Sequence, residues 1–196
     1  MSITSAASGA VLFTITDSLA NTDPTQLGRL SRNGIPQDWA GSEPFPGTIN
    51  LATPYHYRYY DVNVGATPFI QIIMDASTVT EFASAYITSY DPANKATNWL
   101  GDAGVSGNYF GVDPLFFQVI ATPNSILRVV INNTTGGALP LGNGIFTLTV
   151  EGYIDSSFGE PGAVPEPATL GLTLAGLGAL AFLHHRRRRN ASSITD

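Results

Sequence analysis

The sequence predicts an all-β protein: a two-layer antiparallel β-sandwich of jelly-roll type, followed by a single C-terminal hydrophobic helix. Three observations carry this prediction. Several segments of the first 155 residues alternate apolar and polar positions with a period of two, as half-buried strands do. Pro, Gly, Asn and Asp punctuate them, as at Asp91-Pro92, Pro123-Asn124 and Gly136-Gly137, and no body segment shows a helical period. An uncharged apolar run without alternation stands near the end, at Ala168–Leu183.

Taken in chain order, Val11, Phe13 and Ile15 share one strand face, and Tyr55, Tyr57 and Tyr59 share another. Ile70, Ile72 and Met74 follow, then Phe82, Tyr86 and Tyr90, then Leu127, Val129 and Ile131, and finally Phe146, Leu148 and Val150. The body is expected to occupy residues 1–155, ahead of a Ser-, Gly- and Pro-containing linker at 156–163. A tail at 164–189 contains the apolar helix 168–183, and a polar extension closes the chain at 190–196.

Composition narrows the function. Of 196 residues only 12% are charged, against 43% hydrophobic, which favours an extracellular all-β domain over a cytosolic helical one. No cysteine is present, so disulfides, thiolate metal sites and cysteine nucleophiles are excluded. The net charge is -6, and four of the nine basic residues sit together at Arg186, Arg187, Arg188 and Arg189. An acidic body with only Arg29, Arg32, Arg58, Lys95 and Arg128 scattered through it argues against nucleic acid as a partner.

The tail reads Pro165-Glu166-Pro167, then Ala168–Leu183, then the four arginines. The two prolines hold the segment extended and stop the helix from growing back into the body. As a helix rising about 1.5 Å per residue, the apolar run covers about 24 Å, slightly short of a bilayer core of about 30 Å. Arginines stay on the cytoplasmic side, so the C-terminus is expected inside the cell and the body outside. A plain single-span anchor would share the apolar run and the basic end but has no need of Pro-Glu-Pro directly before the span.

Those three parts, in that order, closely resemble the PEP-CTERM domain, with Pro165, Glu166 and Pro167 as its motif, Ala168–Leu183 as its membrane segment and Arg186–Arg189 as its basic end. The resemblance implies that the chain is a substrate of an exosortase, a membrane-embedded cysteine protease or transpeptidase that cleaves near the motif. It further implies transient anchoring in the inner membrane, then delivery to the surface or surroundings of an exopolysaccharide-producing Gram-negative bacterium. Such proteins begin with a secretory signal, yet Met1–Gly9 has neither a positive n-region nor an apolar h-region. The expectation is that the true start lies upstream. Gly171, Ala175 and Ala179 lie four apart, spacing that suits close packing against another helix.

A second resemblance covers Trp99–Tyr153. The order of Leu100-Gly101-Asp102, Phe116–Val119, the turn Thr122–Ser125, the strand Ile126–Asn132 and Gly144–Val150 is similar to the bacterial pre-peptidase C-terminal domain. In that family the last strand reads Gly-x-Tyr-Thr-Leu-x-Val, and here Phe146 replaces the tyrosine. The resemblance consists of core-strand residues and so implies a β-sandwich more than any activity.

The body offers little chemistry. His56 is its one histidine, and no Gly-x-Ser-x-Gly elbow, phosphate loop or dinucleotide fingerprint occurs. Glu43, Glu81 and Glu151 are the carboxylates from which a glycosidase pair would have to come, but nothing in the sequence places two of them together. Asp91, Asn94, Asp102, Asn108 and Asp113 supply oxygens to one loop region that could wrap a Ca²⁺ ion, although their spacing matches no EF-hand loop and Asp and Asn also dominate ordinary turns. Asn132-Asn133-Thr134-Thr135 reads as a turn. Tyr55, Tyr57, Tyr59 and Tyr60, with Trp39 and Trp99, provide aromatic surface of the kind that stacks on sugar rings or packs across strands.

The chain is therefore expected to be a non-enzymatic surface or matrix protein with a structural or adhesive body and no cofactor. Its expected partners are an exosortase and the inner membrane. Two further readings follow from the residues. One is a carbohydrate- or Ca²⁺-binding module, with exopolysaccharide as partner. The other is a filament subunit that joins copies of itself by adding the segment Ala10–Asp17 to a neighbour's sheet edge.

Overall fold

The computed structural model describes residues 9–156 apart from 42, 79, 109–112 and 140–143. The linker from residue 157, the Pro165-Glu166-Pro167 motif, the apolar run 168–183, Arg186–Arg189 and the extension 190–196 lie outside the described residues. Among the described residues no helix is long and apolar enough to cross a membrane.

The described chain is all-β. Its strands are β1 (Ala10–Ser18), β2 (Thr25–Leu30), β3 (Thr48–Asn63), β4 (Phe69–Ala76), β5 (Glu81–Ile87), β6 (Trp99–Asp102), β7 (Leu115–Ile120), β8 (Ile126–Asn133) and β9 (Ile145–Tyr153). They form two sheets, a four-stranded one in the order β1-β9-β4-β7 and a five-stranded one in the order β2-β3-β8-β5-β6. Every described pairing is antiparallel. With β2 set aside as an added edge, the chain alternates between the orders 1-9-4-7 and 3-8-5-6, which is the strand order of two interlocked Greek keys.

The apolar alternation decides which side of each strand faces the other sheet. Ile70, Ile72 and Met74 of β4, Phe117 and Val119 of β7, and Phe146, Leu148 and Val150 of β9 point inward from the smaller sheet. Tyr60 and Val62 of β3, Ala83 and Ala85 of β5, and Leu127, Val129 and Ile131 of β8 meet them from the larger one. Burying each large apolar side chain stabilises the fold by about 1.5–3 kcal/mol, so this cluster holds the two layers together.

Three expectations need correction, and one gains its side of the sheet. Val11, Phe13 and Ile15 do not share a face, because the β1–β9 register shifts between Val11 and Phe13, leaving Val11 61% exposed while Leu12 and Phe13 both pack on the core. Phe82 and Tyr86 point away from the other sheet, Ala83 and Ala85 taking the inward positions, and Tyr90 lies beyond the end of β5. Asn132 and Asn133 are not turn residues: β8 runs through both and buries them, and the turn comes at Gly136 and Gly137, with φ of 70° and 69°. The tyrosine row of β3 lies on the outer face, where Tyr57 meets Tyr90 at 5.4 Å and Tyr59 carries Arg128 over its ring at 3.9 Å, while Tyr60 fills the core.

A polar knot ties the N-terminal strand to the opposite sheet. Arg58 of β3 reaches Asp17 of β1 at 2.5 Å and Asp23 at 2.6 Å, and the Tyr60 hydroxyl donates to Asp17 at 2.9 Å. Burial pushes the Asp17 carboxyl up, but Arg58, the Ser18 N–H and Tyr60 outweigh it and hold its pKa below the ordinary carboxylate value. The segment expected to add to a neighbour's sheet is thus β1 of this sheet, paired with β9 over Ala10–Ser18.

Candidate functional site

The two sheets are open along the seam where their edge strands β6 and β7 approach each other. One loop residue stitches that seam. The Gln37 N–H donates to Asp102 O of β6 at 3.0 Å, and Gln37 O accepts from the Gln118 N–H of β7 at 2.8 Å. The loop can lie this close because two positions lack a side chain. A Cβ on Gly101 would stand 2.6 Å from Gln37 Cγ and 2.8 Å from Val119 Cγ1. Gly104, at φ 67°, would press a Cβ to 2.5 Å from the Ile35 backbone.

Between loop and strands runs a groove of about 340 Å³ lined by Gln37–Gly41 on one wall and Trp99, Leu100, Val119 and Ile120 on the other. Both tryptophans of the chain line it. The Trp39 indole N–H donates to Val119 O at 3.1 Å, and its ring takes edge contacts from Phe69 and Tyr153, each at 5.5 Å. Phe45 stands edge-on to Trp99 at 5.6 Å. Asp38 Oδ1 accepts the Ala40 and Gly41 N–H groups at 2.7 and 2.8 Å, which curls the loop into a tight turn. The Gln37 amide completes it, donating to Gly41 O at 2.8 Å and accepting from the Glu43 N–H at 3.2 Å.

Beneath Trp99 lies Asp102, only 3% exposed, whose carboxyl is pushed up to about 6 by burial against the opposing pull of the Gly104 N–H. The buried Trp99 indole N–H approaches the Asp102 carboxyl without closing a well-aligned hydrogen bond, and still helps hold that pKa down. Because the folded pKa exceeds the unfolded value of about 3.9, Asp102 favours folding below pH 4, and that contribution is lost as pH rises through about 6. Asp102→Asn keeps the acceptor for Gly104 and removes the charge. Its melting curve should match the parent near pH 4 and show about 2–3 kcal/mol greater stability above pH 7; a pH-independent difference would contradict a buried ionised carboxylate.

The other sequence-derived candidates do not converge. Asp91 accepts the Ala93 N–H in a turn beyond β5, and Asn94 follows in the same turn. Asp102 ends β6, and Asp113 accepts the Ala76 N–H before β7 and shares hydrogen bonding with Asp75, whose pKa it raises. Among the described residues no three His, Cys, Asp or Glu side chains gather as a metal site. Local turn chemistry accounts for Asp91, and burial for Asp102. His56 is buried with Nδ1 at 3.0 Å from Asp23 O. Glu81 is fully buried and receives the Thr78 and Thr80 hydroxyls at 2.8 and 2.7 Å, Glu151 receives the Tyr153 hydroxyl at 2.6 Å, and Glu43 belongs to the seam loop. These three carboxylates occupy different parts of the body.

Comparison with known proteins bears on the tail. The family model described as the PEP-CTERM protein-sorting motif matches residues 163–189, so the chain carries that motif at its C-terminal tail. Such a motif implies export, a membrane-anchored sorting signal and recognition by an exosortase. A search of curated proteins returns no match. Among solved structures the chain is similar to the enzymatically active domain of tailspike protein 4 of bacteriophage CBA120, at 12% identity and a TM-score of 0.28, over 71% of this chain and 19% of that one. That likeness is too slight to assign a fold or an activity.

Proposed function

We propose, taking the PEP-CTERM motif of the tail as the premise, that this chain delivers a folded, non-catalytic jelly-roll module to the bacterial surface or its matrix. The module's role there is structural or adhesive. The observation that carries the reading is the match of the sorting motif to residues 163–189, directly behind a body that ends in a completed β-sandwich. Two features of the body support it. The Greek-key strand order is that of a jelly roll, and its β6–β7 edges are closed by the 37–41 loop, which protects them from sheet-to-sheet aggregation outside the cell. His56, Glu81 and Glu151 are also engaged in separate structural hydrogen bonds rather than assembled for acid–base chemistry.

On this reading the apolar run 168–183 holds the chain in the inner membrane, with Arg186–Arg189 on the cytoplasmic side, until an exosortase acts near Pro165–Pro167. Deleting the host's exosortase should move the protein from the surface or medium into the membrane fraction as a longer species. Unchanged size and distribution in the deletion strain would sink the reading.

A further inference from the structure

The groove at the β6–β7 seam has a composition that selects its ligand. We propose that it binds a neutral sugar ring of a polysaccharide, seated on the indoles of Trp39 and Trp99 with Asp38 and the turn it caps as polar partners. This deepens the proposed surface role and rests on the reading of the body as a binding or adhesive module, not on the processing of the tail.

The lining discriminates among four classes of ligand. Anionic ligands are disfavoured because none of the nine lining residues is Lys, Arg or His and the one charge is the Asp38 carboxylate. An added peptide strand would need open backbone groups on β6 or β7. The seam loop already takes Asp102 O and the Gln118 N–H, and the Trp39 indole takes Val119 O. A wholly apolar ligand would strip water from the exposed, charged Asp38 carboxylate and offer it nothing in exchange. A sugar ring satisfies both walls, presenting C–H groups to an indole and hydroxyls to a carboxylate and backbone.

The site is also held in shape before any ligand arrives. Trp39 is fixed by its bond to Val119 O and by edge contacts from Phe69 and Tyr153, and Trp99 by Phe45. The 38–41 turn is fixed by Asp38 Oδ1 and the Gln37 amide. A groove of about 340 Å³, open along one side, suits part of a polymer chain better than an enclosed small molecule. Preorganised aromatic surface lowers the entropy cost of a weak, repeated contact, which is what adhesion to a polymer uses.

The test titrates the full chain, in detergent micelles, with cellohexaose, mannohexaose and xylohexaose, and with alginate as the anionic comparison, reading tryptophan emission and calorimetric heat. The expected result is saturable binding of at least one neutral hexasaccharide with a change in tryptophan emission and no binding of alginate. Trp39→Ala and Trp99→Ala should each weaken it by about tenfold or more. Because Trp39→Ala also removes packing against Phe69 and Tyr153, Asp38→Asn provides a second variant. Its Oδ1 still accepts the Ala40 and Gly41 N–H groups, so it should keep the parental melting temperature while weakening the sugar severalfold. Absence of binding by all three neutral sugars, or parental affinity in folded Trp99→Ala and Asp38→Asn, would overturn the proposal. A chain processed at its tail that binds none of them would leave the exported-module reading standing and remove this one alone.

Discussion

Replacing Pro165, Glu166 and Pro167 together by alanine is expected to abolish release of the body and leave the whole population as a membrane-bound precursor. The substitution leaves Ala168–Leu183 and Arg186–Arg189 intact, so on the proposed reading the chain still inserts in the same orientation. On the same reading it also removes the two prolines, which disfavour helix, so that alanines would favour helix up to the body and hide the site from the processing enzyme. Cell fractionation with an antibody to the body reads the result directly. The contrasting variant replaces Arg186–Arg189 by alanine, which keeps the motif but removes the charges that hold the C-terminus inside, each costing about 2.5–3.5 kcal/mol at the bilayer centre. It should scramble orientation rather than block cleavage. Normal release from the triple-alanine chain would contradict the role given to the motif.

The second large effect lies in the body. Phe117→Ala is expected to cost about 3–5 kcal/mol, because the ring is 1% exposed and sits in β7 opposite Ile72, within the cluster that joins the sheets. Against a total stability of roughly 5–15 kcal/mol, that is enough to lower the melting temperature by roughly 10 °C. Three residues along the same strand, Ile120 is 56% exposed, and Ile120→Ala should stay within about 0.5 kcal/mol of the parent. Thermal melts of the two variants check the inward and outward assignment of β7, and equal losses would contradict it.

How far these features could be read from sequence depended on whether their causes are local. Ile70-x-Ile72-x-Met74, Leu127-x-Val129-x-Ile131 and Phe146-x-Leu148-x-Val150 announced their inward faces because period-two alternation is a property of the strand itself. β2 escaped notice because Thr25-Gln26-Leu27-Gly28-Arg29-Leu30 has a glycine at φ 72° in its middle, and its register against β3 shifts there. At Tyr55 and Tyr57 the alternation was visible but its side was not. Their outer face is itself buried, so apolar character no longer marks the core.

The groove was less legible still. Trp39 and Trp99 were visible as aromatic surface, but they are sixty positions apart in sequence and meet only because the loop carrying Gln37 crosses the ends of β6 and β7. Local signals existed in Asp38-Trp39-Ala40-Gly41, a capped turn that presents a tryptophan, and in the glycines at 101 and 104 that admit the loop. The tail was legible for the opposite reason. Its chemistry lies wholly in the order of a short motif, an apolar run and a basic end, and the match at residues 163–189 rests on that order.

Mass spectrometry of the intact protein, recovered from the surface or medium of its native host, tests the central claim most directly. A mature C-terminus near Pro165–Pro167, with the apolar run and all four arginines gone, is the predicted result. A released chain that still ends beyond Arg189 would contradict it.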